Sequence, residues 1–209
     1  MKSLLADYKE KRTEIKNRLK EFGEVYKKDD KKVFSELCFC ILTPQARAIV
    51  CDRAIKALEK KGLLLKGSSS HIRPYLKGVR FPNNKAKYLV SARDIFKDCK
   101  DINIKDKIDT KDIIKTRDWL VKNVKGMGYK EASHFLRNIG FGRDIAILDR
   151  HILRNLKRYG IIEKMPLTIT KKEYLKIEDK MRVFLKKLDI SMDEIDLLFW
   201  SNETGIIFK

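Results

Sequence analysis

The chain has 209 residues, enough for one sizeable core or for two small subdomains sharing a cleft. Its 48 lysines and arginines against 29 acidic residues leave a net charge of +19, an excess that points to a polyanionic partner, nucleic acid first. The basic residues follow helical patterns rather than a tail, no apolar run reaches the length of a membrane span, and Met1 to Lys27 is amphipathic and charged, so a basic disordered arm, a membrane protein and a secreted one are all disfavoured. The expectation is a soluble protein of the cytoplasm or nucleoid, and a monomer.

Strand alternation is nearly absent and helical spacing recurs along the chain. Leu4, Leu5, Tyr8, Ile15, Leu19 and Phe22 form the stripe of a first helix. Asp29 or Asp30 can cap a second, with Val33, Phe34 and Leu37 on its apolar face and an end near Pro44. A third is predicted from about Gln45 to Lys61, stopping at Gly62. Ser68 to Ser70 can cap a short piece through Leu76, and Asn83 to Cys99 reads as a helix after Pro82.

Asp109 or Thr110 is expected to cap Ile113 to Val124. Tyr129 to Ile139 follows, closed by Gly140, and Asp149 opens a helix ending at Gly160. Thr170 and Glu173 have capping-box spacing ahead of Tyr174, Ile177, Met181 and Phe184. A last helix spans about Met192 to Trp200. About ten helices with short connections give an all-α fold.

The four cysteines are Cys38, Cys40, Cys51 and Cys99. Cys38 and Cys40 sit in an apolar run and read as core. There is no CxxC and no late cysteine cluster for an iron–sulfur centre, so no metal is expected. A disulfide cannot be established from the sequence.

Three features carry chemistry. The segment Val124-Lys125-Gly126-Met127-Gly128-Tyr129 is a glycine hairpin between two helices. Gly126 and Gly128 permit a tight turn that points backbone N–H groups outward, the next helix adds its positive end, and Lys125 adds charge, so a phosphate fits there. Met127 can pack inward; an ordinary turn between helices would look similar. Lys130 falls in the first turn after the hairpin, where the helix dipole favours the neutral, nucleophilic amine. Asp149, nineteen positions on, is an N-cap whose ionised carboxylate can stabilise positive charge on a sugar as its base departs, or help activate the lysine.

With these residues the chain resembles the helix-hairpin-helix DNA glycosylases, through 124–132 and the run Ile147-Leu148-Asp149-Arg150-His151-Ile152-Leu153-Arg154. Within them it is most similar to the archaeal-type 8-oxoguanine DNA glycosylase/lyases, a resemblance covering nearly the whole chain. That likeness includes Ile41 to Ala48, Val79 to Ala86 and the end from Phe199 to Lys209. The missing cysteine cluster argues against the endonuclease III branch, and no segment matches the extra N-terminal β-domain of the larger eukaryotic-type enzymes.

The resemblance implies two helical subdomains with a cleft between them. One would run from about 30 to 141 with the hairpin and Lys130, the other would join 1–29 to 142–209 with Asp149. It implies Lys130 as nucleophile and Asp149 as catalytic carboxylate. Gln45 would probe the space left by the extruded base, and Arg80 and Phe81 would enter the opened stack. Their plain alternatives are helix capping for Gln45 and core packing for Phe81.

Lys209 would help tell 8-oxoguanine, whose N7 carries a proton, from guanine, whose N7 is an acceptor. A carboxylate at the chain end could accept from that N7, or the Lys209 side chain could act otherwise. Trp200 could stack on the extruded base or serve as core. The partner implied is double-stranded DNA carrying 8-oxoguanine or abasic sites. No cofactor is implied beyond a monovalent cation at the hairpin carbonyls. The competing readings are a glycosylase for other oxidised bases and a non-catalytic helix-hairpin-helix DNA-binding module.

Overall fold

A computed structural model describes residues 2–98 and 101–209; Cys99 and Lys100, within which one cysteine and the start of a doubtful connector fall, lie outside the described residues. Among the described residues the regular structure is helical apart from one isolated bridge between Lys97 and Ile102. The chain divides into two compact units, Val25–Phe135 and the pair Met1–Glu24 with Leu136–Lys209.

In the unit of Val25–Phe135, α2 covers Asp30–Leu42, and Asp29 caps it by accepting from the Lys32 N–H at 2.9 Å. Every residue from Val33 to Leu42 is buried, so α2 is the central helix of its unit, and Cys38 and Cys40 are buried there as expected. The third helix, α3, covers Ala48–Lys60 and begins three residues later than its pattern predicts, because Gln45 takes a left-handed backbone at φ 55°. A short helix that the spacing did not show, α4 at Leu63–Lys66, follows Gly62.

Ser68 caps α5, Ser69–Ile72, which runs on as a 3-10 turn through Leu76. The next helix, α6, covers Pro82–Phe96 with proline in its first turn, and ends before Cys99. Helix α7, Ile113–Asn123, is capped by Asp112, which accepts from the Lys115 N–H at 2.9 Å. Asp109 is occupied otherwise: its carboxylate accepts from the Lys111 N–H and its own N–H goes to the Thr116 hydroxyl. Then comes α8, Tyr129–Asn138.

The other unit is closed by α1, Lys2–Lys27, and by three later helices: α9 at Arg150–Arg158, α10 at Lys171–Lys186 and α11 at Met192–Thr204. Thr170 caps α10, and a reciprocal capping box of Ser191 and Glu194 starts α11. That last helix runs a turn beyond Trp200. The buried stripe Leu4, Tyr8, Ile15 and Phe22 of α1 lies on this core, and the Tyr8 hydroxyl donates to Glu194 at 2.9 Å. The end of α8 belongs here too. Gly140, at φ 91°, lies so close to Gly23 that a Cβ would stand 2.7 Å from its Cα, and Arg137 stacks its guanidinium 4.8 Å from the Phe22 ring centroid.

No described helix is long and apolar enough to cross a membrane. Nor do the described residues bring three or more His, Cys, Asp or Glu together where they could hold a metal ion.

Candidate active site

In the unit of Val25–Phe135, the hairpin joins α7 to α8. Gly126 adopts φ 86°, and a Cβ there would sit 2.6 Å from the Tyr88 ring of α6, so a side chain is excluded on both counts. Met127 is buried, as its place between the glycines predicts, and Lys125 is exposed. Not every hairpin N–H points outward. The Gly128 N–H donates to Glu131 at 3.0 Å, and that of Met127 to the Val124 carbonyl at 3.2 Å. The amides of the first turn of α8, which no intrahelical carbonyl can take, remain as the anion-binding feature of a helix start.

Lys130 stands in that first turn, half-buried, with its Nζ 2.9 Å from Glu131 Oε1. Glu131 therefore ties the hairpin to the lysine: one oxygen accepts from Gly128 and the other pairs with the ammonium. The neighbouring Tyr129 lies under Arg117, whose guanidinium is 5.3 Å from the ring centroid and which is fully buried. Arg117 also donates to Ser133 at 3.2 Å, so α7 and α8 are locked on either side of the hairpin.

Gln45 and Phe81, of the same unit, are two of the three non-glycine residues with left-handed backbone among the described residues. Such a conformation costs about 1–2 kcal/mol for an L-residue and persists only where its surroundings hold it. Gln45 is exposed and does not cap a helix. Phe81 is 52% exposed and so is not core; the exposed Arg80 stacks its guanidinium 5.1 Å from the Phe81 ring centroid.

Asp149, in the other unit, is the N-cap of α9, its Oδ1 accepting from the Ile152 N–H at 2.8 Å. The buried apolar run Ile145 to Leu148 leads to it and is clamped by α10. Glu178 accepts from the Ala146 N–H at 2.7 Å, and the Tyr174 hydroxyl donates to the Ala146 carbonyl at 2.7 Å while the Leu148 N–H reaches it at 3.3 Å. Sequence reasoning placed Tyr174 only in the core and missed Glu178, because nothing local marks a buried glutamate as a backbone clamp. Among the 29 acidic residues it looked like one more surface charge.

Behind Asp149 lies a second missed element, the buried pair of Arg137 and Asp196, 3.3 Å apart. Burial pushes the Asp196 carboxyl up to about 7, against the pull of the Arg137 guanidinium, with the charges of Asp149 and Asp193 pushing the same way as burial. An unfolded aspartate titrates near 3.9. Between those pH values the folded protein keeps a proton that the unfolded chain has lost, so this group's contribution is full below about pH 4 and is lost as pH rises through about 7. Denaturant unfolding at pH 5 and pH 8 should therefore show wild type losing more stability over that interval than Asp196→Asn. Equal losses in the two proteins would place the proton elsewhere.

The chain's end is docked on α1. The Phe208 carbonyl accepts from Arg18 Nε at 2.9 Å, and the Phe208 ring lies 6.4 Å from the half-buried Trp200. Of the apolar run, Ile206 is exposed, so Phe208 and not the whole segment makes the contact. Lys209 follows, half-buried.

A glycine hairpin followed by a first-turn lysine, with a clamped aspartate starting a later helix, gives this all-helical chain the fold of the helix-hairpin-helix DNA glycosylases. A family model described as 8-oxoguanine DNA glycosylase matches residues 15–190. An 8-oxoguanine DNA glycosylase/AP lyase of Fusobacterium nucleatum is 49% identical over 97% of this chain and 94% of its own. The crystal structure of the Methanocaldococcus jannaschii 8-oxoguanine glycosylase/lyase, in complex with a 15mer DNA containing 8-oxoguanine, matches with a TM-score of 0.89 at 35% identity over 100% of both chains. That of the Thermotoga maritima 8-oxoguanine DNA glycosylase matches with a TM-score of 0.83 at 33% identity, over 100% of this chain and 97% of that one. The chain belongs to the 8-oxoguanine DNA glycosylase family.

Proposed function

We propose that this protein removes 8-oxoguanine from double-stranded DNA and cleaves the strand at the abasic site it creates. The observation that carries the reading is Lys130 in the first turn after the glycine hairpin, in a chain of this family. The target nucleotide must leave the stack, because its glycosidic carbon is out of reach inside a duplex.

Lys130 then attacks the sugar C1′ through its neutral Nζ, after the pair with Glu131 is released. The glycosidic bond breaks, and its electron pair leaves with the base, which takes up a proton. The Asp149 carboxylate faces the positive charge that develops on the sugar. Opening of the sugar ring gives a Schiff base; loss of a C2′ proton then expels the 3′ phosphate, and water releases the enzyme.

Gln45, Arg80 and Phe81 fill the opened stack in this reading, and Lys125, Gly126 and Gly128 hold backbone phosphate. Gly128 does so by its close approach rather than by its N–H, which Glu131 holds. Trp200 and Lys209 contact the extruded base. No cofactor takes part. A monovalent cation would sit at the hairpin carbonyls, such as that of Val124. One chain supplies both catalytic groups, so a monomer suffices, working in the cytoplasm or nucleoid.

The test is borohydride trapping on duplexes carrying 8-oxoguanine opposite cytosine, thymine glycol, or no lesion. An adduct with the 8-oxoguanine duplex alone supports the reading. An adduct only with thymine glycol would make the protein a glycosylase for oxidised pyrimidines, and tight binding without any adduct or base release would make it a binding module. A variant lacking Lys209 should lose at least about tenfold in 8-oxoguanine excision while keeping abasic-site cleavage within about twofold, the cost of removing one hydrogen bond to the base. Equal loss in both reactions would take Lys209 out of base recognition.

A further inference from the structure

Lys85 is 4% exposed, the only buried lysine among the described residues of a lysine-rich chain. It stands one turn into α6. Its Nζ donates to the Leu42 carbonyl at 2.6 Å and to the Pro44 carbonyl at 2.7 Å, more than forty residues back in the chain. Leu42 ends α2, so its carbonyl has no intrahelical donor, and the Cys51 thiol also donates to it at 3.2 Å. Pro44 precedes the left-handed Gln45. At the other end, the Lys85 N–H donates to the carbonyl of Phe81, the left-handed N-cap of α6, at 3.0 Å. The Lys85 side chain thus ties the Gln45 turn to the first turn of α6, which its backbone N–H joins to the Phe81 turn.

The placement carries a cost. Burial lowers the Lys85 pKa, and the neighbouring Lys130 charge pushes the same way. A buried amine must be hydrogen-bonded to be tolerated, and Lys85 finds its partners in the carbonyls of Leu42 and Pro44. A helix cap alone would not need to span from the start of α6 to a turn that exposes Gln45. Lys85 and Tyr88 lie along one face of α6, and Tyr88 is the ring that Gly126 approaches.

We propose that Lys85 is a positioning residue for base extrusion, its side-chain bonds to the Leu42 and Pro44 carbonyls fixing the Gln45 turn at one spacing from the start of α6, where the Phe81 turn stands. This rests on the reading of Gln45 and Phe81 as the side chains that enter the opened stack. Lys85 touches neither the DNA nor the reacting atoms in this account.

The experiment compares wild type, Lys85→Met, Lys85→Arg, Gln45→Ala and Phe81→Ala in two assays. The first reads base extrusion, by fluorescence of 2-aminopurine paired next to 8-oxoguanine in a duplex. The second is borohydride trapping on a single-stranded oligonucleotide with an abasic site, which needs Lys130 but no opened stack. Lys85→Met should lose about tenfold or more in extrusion, as a misplacement of about an ångström does, and stay within about twofold in trapping. Lys85→Arg, which keeps charge and donors, should recover part of the extrusion signal. In the Phe81→Ala background Lys85→Met should add little, because both act on one step.

Equal loss in both assays, or failure of both Lys85 variants to fold, would overturn the proposal and make Lys85 a stability residue. Unchanged extrusion in Lys85→Met, with extrusion lowered in Gln45→Ala and Phe81→Ala, would overturn it while leaving the reading of those two residues intact. Unchanged extrusion in Gln45→Ala and Phe81→Ala would instead remove the reading on which it rests.

Discussion

Lys130→Gln is expected to abolish both base release and strand nicking while leaving lesion binding in place. Glutamine keeps a polar side chain of similar reach in the first turn of α8 but has no amine to form the carbon–nitrogen bond, so no covalent adduct should be trapped. Binding should survive, because the hairpin is built by other residues: Gly126 against Tyr88, the buried Met127, and Glu131 on the Gly128 N–H. The substitution removes the ion pair with Glu131, which is partly exposed and contributes about 0–1 kcal/mol. A thermal midpoint within a few degrees of wild type would confirm that the loss is chemical. Nicking that persists at the wild-type rate in the purified variant would remove Lys130 from the mechanism.

The second large effect is expected at Asp149. Asp149→Asn should slow single-turnover excision by about 10²–10⁴-fold, the range seen when a charge-stabilising or proton-transferring group is neutralised. The choice of asparagine matters, because it caps helices about as well as aspartate. The bond to the Ile152 N–H can be kept, and unfolding should shift by less than about 1 kcal/mol. Asp149→Ala would lose rate and cap together, costing about 0.5–2 kcal/mol of stability as well. An Asn variant that turns over normally would leave Asp149 as a cap alone. One that is slow and also strongly unfolded would implicate the buried Arg137 and Asp196 behind it instead.

Several helix starts were legible because the deciding group lies within four residues of the helix end. Asp29, Ser68, Asp149 and Thr170 each cap the helix they precede, since the carboxylate or hydroxyl and the N–H it binds are neighbours in the chain. Choices between nearby caps were less secure. The reading of Asp109 or Thr110 as the cap of α7 is not met: Asp112 starts that helix, and Thr116 holds the Asp109 N–H. The turn at Gln45 was hidden for a stronger reason. Its pattern continues a helix, but the carbonyls of Leu42 and Pro44 are answered by Lys85 from α6, and no window along the chain contains both ends of that contact.

The candidate site divides in the same way. Lys130 and Asp149 could be read directly, because a glycine hairpin before one and an apolar run before the other are local signals of two helix starts. What only the tertiary structure decided is how each is held. Glu131 spans the hairpin and the lysine, Glu178 and Tyr174 grip the segment before Asp149 from 26 to 32 residues away, and Asp196 meets Arg137 across 59 positions. Side chains of these types are mostly solvated in a chain of this charge, and sequence treats them so. Burial changes their meaning, because an ion or a carbonyl taken out of water must find its partner wherever the fold brings one, and that distance is set by packing rather than by spacing.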